Sequence, residues 1–233
     1  MLQLLIAFTV FASVPPIKVS PNNTLSYLRK EEKPRLAYFK NKTKELETII
    51  FSEAQTFQYR WMAFTTLAKL EPSQRVFERA LKSNEWFLRD VALKASLELF
   101  PAKALDWNRH ALNDVALVVR TTAVKNLKRL QDAASVDLLW DELYAKRNFR
   151  KSQGLWIRKH ILDSIVSLLP EEKAKEKLWQ SRLIQVLKTE DESLQPFAFA
   201  YLKQTYPQGP HFVKDEPMSI QRKKWVAYLD KKN

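Results

Sequence analysis

The sequence contains no cysteine and only two glycines in 233 residues. Without cysteine there is no disulfide scaffold, no zinc ribbon and no thiol nucleophile, and the chain suits an oxidising compartment as well as a reducing one. Because Gly154 and Gly209 stand alone, phosphate-cradling loops, dinucleotide-binding turns and nucleophile elbows are excluded too. Each of these needs glycine where the backbone reaches positive φ. So few glycines also speak against a turn-rich all-β fold. Acidic charge is in deficit: 26 Asp and Glu stand against 39 Lys and Arg, a formal net charge of +13. Such an excess reads either as a solvated, soluble surface or as the footprint of a polyanionic partner such as nucleic acid, anionic lipid or an acidic protein.

At the amino terminus, Leu2 to Val14 is an apolar run broken only by Gln3, Thr9 and Ser13. It is shorter than the ~20 residues a membrane-spanning helix needs. It matches the core of an export signal, with Val10 and Ala12 as the small residues before a cut after Ala12, although no Lys or Arg precedes it. The expected organisation is a signal peptide over 1–12, a proline-containing linker over 13–23, N-terminal capping helices over 24–54, a repeat region over 55–207, and a C-terminal loop and capping helix over 208–233. This reading implies an exported, periplasmic or cell-envelope protein, and a cytoplasmic one if the run is not a signal. Pro34 fits the first turn of a helix on which Leu36, Phe39, Thr43, Leu46 and Ile50 share a face, predicting one amphipathic helix.

The strongest pattern is an internal repeat. Tyr59-Arg60, Leu88-Arg89, Val119-Arg120 and Ile157-Arg158 open the same motif at spacings of 29, 31 and 38 residues, and Leu194-Gln195 continues it after 37 more. Three and four positions later come Ala63-Phe64, Ala92-Leu93, Ala123-Val124, Ile161-Leu162 and Ala198-Phe199. These offsets lie on one face of an α-helix. Position +12 is Pro72, Pro101, Asp132, Pro170 and Pro207, residues that end one helix and can open the next. Second helices are therefore expected over 72–83, 101–112, 132–146 and 170–188. Ile220, Trp225 and Leu229 mark a last amphipathic helix.

This pattern resembles the HEAT-repeat family, whose units carry an apolar residue followed by Arg in the first helix and a proline or aspartate at the turn. Asn84, Asp114 and Asp191 stand where such repeats are commonly capped. The resemblance implies an all-α fold, a right-handed α-solenoid of about five HEAT-like helical pairs with N-terminal helices and a C-terminal capping helix. A related armadillo-like or other helical-repeat arrangement would produce similar offsets. Gln195-Pro196 departs from the pattern, which makes the fifth unit degenerate.

In a solenoid the second helices line an extended concave surface. The basic candidates for that surface are Arg75, Arg79, Lys82, Lys103, Arg109, Lys173, Lys177 and Arg182, with Glu78, Asp106 and Glu176 among them as balancing charges. The repeated Arg60, Arg89, Arg120 and Arg158 read as structural, with buried stems and tips bonded to carbonyls or acidic residues of neighbouring repeats. His110, His160 and His211 share no metal-ligand spacing and no Ser-His-Asp pattern stands out, so no catalysis, metal or cofactor is expected. A second resemblance is to the HEAT-like alkylpurine DNA glycosylases, which place a Trp and an Asp one helical turn apart beside an Arg from the next repeat. Trp86, Asp90 and Arg120 take those places, while the second tryptophan of that family falls on Leu162. The function expected is a non-catalytic binding or scaffolding module for a protein or peptide of acidic character. The alternative is a nucleic-acid-binding protein, with the glycosylase as its enzymatic form. The basic tail at Arg222-Lys223-Lys224 could also touch an anionic membrane surface.

Overall fold

The computed structural model describes residues 24–188, 191 and 193–231; the expected signal peptide and linker lie outside them. The described residues form fourteen α-helices, two short 3-10 turns and one two-stranded hairpin. None of these helices is long and apolar enough to cross a membrane. The chain divides into two compact units, Met1–Val76 and Phe77–Asn233.

In the first unit α1 (Thr24–Leu28), α2 (Glu32–Phe39) and α3 (Thr43–Phe51) pack with α4 (Phe57–Leu70). Leu28, Phe39, Leu46, Ile50 and Phe64 form its buried interior. The single helix predicted across Leu36 to Ile50 is two helices. Lys42 leaves the helical region at φ −128°, ψ 31°, and its ammonium folds back to 3.8 Å from the Tyr38 ring centre. Asn41 between two lysines offers little helical propensity to oppose that break.

The division between units falls within α5 (Gln74–Leu81). Beyond it come α6 (Trp86–Leu99), α7 (Pro101–Ala111), α8 (Leu117–Arg129), α9 (Val136–Tyr144) and α10 (Ile157–Leu168). Then follow α11 (Glu171–Ala174), α12 (Lys177–Leu187), α13 (Gln195–Thr205) and α14 (Met218–Asp230). The first helices of successive repeats, α6, α8 and α10, pack side by side. Their hydrogen bonds show that α6 and α8 run parallel: Thr122 Oγ1 donates to Asp90 Oδ1 at 2.5 Å, and one turn further along both helices Asn126 Nδ2 donates to the Leu93 carbonyl at 3.0 Å. Ala92 and Ala123, small and fully buried, let these helices approach closely, and Leu88, Leu93, Val124 and Leu127 fill the seams. Full burial of each such leucine or valine is worth about 1.5–3 kcal/mol. Trp179 and Trp225 anchor the C-terminal end of the core. Tyr201, buried there with its hydroxyl donating to the Leu169 carbonyl at 2.7 Å, has its pKa pushed up to about 12 by burial.

The prolines at position +12 do not act alike. Pro101 opens α7 in the first turn, but Pro72 stands before α5, Pro170 caps α11 in extended backbone, and no helix begins after Pro207 until Met218. The helix predicted over 132–146 is a 3-10 turn, Ala133–Ser135, followed by α9. The one predicted over 170–188 breaks at Glu176, whose ψ of 139° is extended; Gln180 Nε2 donates to the freed Lys175 carbonyl at 2.8 Å. A hairpin of β1 (Phe149–Arg150) and β2 (Gln153–Gly154) fills the longer spacing before α10.

Glycine scarcity has a visible price. Neither glycine adopts positive φ; both occur where a Cβ would collide, Gly154 with the Arg158 guanidinium and Gly209 with the Trp225 ring. The left-handed position that closes α8 is instead held by Gln131 at φ 55°. There the Gln131 N–H donates to the Lys128 carbonyl and the Asp132 N–H to the Leu127 carbonyl, the double bond of a Schellman cap that normally uses glycine. Gln131→Gly should therefore stabilise the protein by about 0.5–1 kcal/mol, read as a higher midpoint in thermal and urea unfolding.

Candidate functional site

The repeat arginines clamp loops together; Arg60, Arg120 and Arg158 are buried and Arg89 is largely so. Arg89 Nη1 donates to the Ser83 and Asn84 carbonyls at 2.7 and 3.0 Å, six and five residues upstream. Its Nε and Nη2 form a two-pronged bond to Asp114 of the next repeat at 2.6 and 2.7 Å. Arg120 repeats the geometry, with Nη1 on the Asp114 and Val115 carbonyls at 2.7 and 3.1 Å. Its other donors reach Asn148 Oδ1 at 3.1 Å and the Arg147 carbonyl at 3.0 Å. Arg158 bonds the Leu143 carbonyl at 2.9 Å and Asp191 at 2.6 Å, with the Phe149 ring centre 4.4 Å from its guanidinium carbon. In the first unit Arg60 Nε donates to the Ile50 carbonyl at 2.9 Å. Burial pushes the pKa of Arg120 and Arg158 down, and Arg147 adds to the effect on Arg120.

Of the residues expected to cap helices, Asp114 Oδ1 accepts the Ala116 N–H at 2.8 Å. Ser83 takes the place assigned to Asn84, its hydroxyl accepting the Glu85 N–H at 3.1 Å. Asp191 accepts from Arg158 and from Ser193.

A cleft of about 600 Å³ opens beside the Arg89–Asp114 pair. Leu81, Leu93, Trp107, Ala111 and Val119 give it an apolar lining. Glu78, Lys82, Asp106 and His110 bring charge and polarity to it. Trp107 is held by an aromatic cluster, with ring centres 5.8 Å from Phe100 and 6.5 Å from Phe77. Trp107, His110 and Ala111 form a stripe at i, i+3, i+4 on α7, a sequence signal that charge patterning does not carry.

The basic candidates do not form one stripe. Arg75 donates to both Glu47 oxygens at 2.8 and 2.6 Å. Arg109 is bound to Asp132 at 2.7 and 2.9 Å, a bond that raises its pKa. Lys173 and Arg182, expected on one continuous helix, belong to α11 and α12 and converge on Asp137 at 2.7 and 2.6 Å. The Arg182 guanidinium carbon lies 4.4 Å from the Trp179 ring centre and 5.2 Å from that of Trp140. Arg79, Lys103 and Lys177 are exposed, and Lys82 lines the cleft.

The glycosylase-like trio is dispersed in its bonding. Asp90 is buried, accepting from Thr122 and from Lys94 at 2.6 Å. Arg120 is spent on loop carbonyls. Trp86 is half-exposed, and neither it nor Asp90 lines the cleft. His160 stacks edge-on against Trp156 at 5.4 Å. Burial and the charge of Lys125, followed by smaller contributions from Lys159 and Lys128, lower its pKa, against the opposing pull of Asp163. Among the described residues no three His, Asp or Glu gather as metal ligands. No protein-family model matches the chain, and no curated protein matches it.

Arg120→Lys keeps the charge but replaces a rigid fork with a point donor facing four acceptors. It should cost about 3 kcal/mol, seen in urea unfolding as a lower midpoint with an unchanged slope. Asp137 has its pKa lowered first by its bond to Lys173 and then by that to Arg182. Its contribution is therefore complete above the carboxylate's unfolded pKa and fades as pH falls through the lowered folded one. Wild type should exceed Asp137→Asn by about 0.5 kcal/mol near neutrality, since solvent screens the pair. That gap should close in unfolding curves taken below about pH 4.

Proposed function

We propose that this chain is a non-catalytic binding module of HEAT-like build, a right-handed α-solenoid acting in the cell envelope, whose cleft beside Trp107 holds a protein or peptide segment of acidic character. The observation that carries the reading is the cleft itself. It joins an apolar floor to a polar rim, the combination by which a groove anchors one side chain and orients its neighbours. Side-by-side packing of α6, α8 and α10, parallel for α6 and α8, and the arginine clamps that recur with the repeat support the solenoid. The apolar run over Leu2 to Val14 supports export.

An acidic flank on the partner is favoured by Lys82 and by Lys103, which lies one turn before Trp107 on α7. Neither lysine forms an ion pair among the described residues. The commitment of Arg75, Arg109, Lys173 and Arg182 to carboxylates weakens the nucleic-acid alternative, because those cations are already neutralised.

Peptides selected from a random display library against the full chain should carry an aliphatic or aromatic anchor beside Asp or Glu. Lys82→Glu should weaken their binding at least tenfold while leaving the unfolding midpoint unchanged. Selected peptides that bind this variant and Leu81→Glu as tightly as wild type would remove the cleft from the reading. Duplex DNA that binds more tightly than any peptide, with affinity falling steeply as salt rises, would replace it with the nucleic-acid alternative.

A further inference from the structure

The register that buries an arginine near the start of α6, α8 and α10 also exposes a large apolar side chain two or three positions before it. Trp86, Val118 and Trp156 are 45%, 41% and 51% exposed, and Val115, in the loop before α8, is 91% exposed. The arginine bonds place these residues along one edge of the second unit. Arg89 ties the Asn84 carbonyl, two residues before Trp86, to Asp114, the neighbour of Val115. Arg120 ties the Val115 carbonyl to Arg147 and Asn148, at the base of the hairpin that leads into Trp156. Four exposed apolar side chains at neighbouring helix starts make a patch of the kind that marks an interaction surface.

The hairpin end of this edge is positively charged. Residues 145–160 contain six Lys and Arg and no Asp or Glu. Arg147 is held by Glu142 and by Asn113, and Arg158 is buried against Asp191. Lys146, Arg150, Lys151 and Lys159 remain exposed, and none of them forms an ion pair among the described residues. Lys151 sits at the hairpin turn with φ 56°. His160, edge-on to the Trp156 ring, also faces the charge of Lys125, exposed on the neighbouring α8.

We propose that this edge seats the protein on an anionic lipid surface, with Trp86, Val115, Val118 and Trp156 at headgroup depth and the basic hairpin and Lys159 on acidic headgroups. The paired chemistry selects this occupant. Tryptophan is favoured at a membrane interface because its ring is apolar and its N–H polar. Valine at a loop tip gains from the acyl boundary but offers no π-face to a nucleic-acid base, which separates this patch from a single-strand binding groove. Lysines and arginines beside the apolar tips supply the attraction to acidic headgroups. The patch does not use the cleft, so the two readings stand or fall separately.

The test is co-sedimentation of the full chain with vesicles of neutral phosphatidylcholine alone or with 30% phosphatidylglycerol. Wild type should bind the anionic vesicles, and less so as salt rises. Arg150→Gln with Lys151→Gln should weaken binding by about 25-fold, roughly fivefold for each charge. Trp86→Ser with Trp156→Ser should weaken it about tenfold or more. Circular dichroism and thermal unfolding should show both variants folded. Leu2 to Val14 is present in every variant, so the differences report the edge alone. Equal binding to neutral and anionic vesicles, or variants that bind as wild type does, would overturn the proposal. So would a single-stranded oligonucleotide that abolishes vesicle binding and itself depends on the same residues, since it would assign the patch to nucleic acid.

Discussion

A buried guanidinium near the start of a helix is the constraint on which the larger unit depends. The loops entering α6 and α8 end in carbonyls that no helical N–H takes, and leaving them dry and unpaired would cost more than the bonds are worth. Arginine answers with a planar fork. In Arg89 and Arg120 one nitrogen takes the carbonyls five and six residues upstream while the others reach the next repeat, and Arg158 instead takes the Leu143 carbonyl and Asp191. The stem meanwhile packs beside the apolar residues that form the seams. Local order and contact between repeats therefore come from one side chain, so neither can be lost alone.

Much of this was legible in the chain. An apolar residue, then arginine, then a small residue three positions later describes a helix that must approach its neighbour closely while carrying a charge inward; α6 and α8 realise it, while α10 carries Ile161 at the small position. The ends of the second helices were less legible because proline only forbids continuation. It does not require a helix to begin, and Pro72, Pro170 and Pro207 each leave the chain extended or irregular. The break at Glu176 is accompanied by Gln180 capturing the Lys175 carbonyl, a local side-chain bond with no periodic trace. The cleft was hidden for another reason: its walls come from α5, α6, α7, α8 and the loop before α8, and a groove has no signature in the spacing of any one of them.

Charge was the most misleading composition signal. The excess of +13 suggested a single basic stripe, yet the arginines with the best geometry are internal fasteners and several candidate surface cations face carboxylates. One uncommitted group, Lys146, Arg150, Lys151 and Lys159, lies where the repeat has a long spacing. The stretch between α9 and α10 has no acidic residue, and its hairpin holds its basic side chains apart from the carboxylates that neutralise the others.

The Arg89–Asp114 pair belongs to two structures at once. It is the joint between α6 and the loop of the next repeat, and it is also part of the cleft wall. A molecule that fills the cleft in contact with that pair shares free energy with the joint, and the sharing runs both ways. Occupancy would make the repeats harder to part, and strain that opens the joint would loosen whatever occupies the cleft. A ligand of the proposed kind would thereby be coupled mechanically to the packed helices, through two side chains placed primarily to hold them in line.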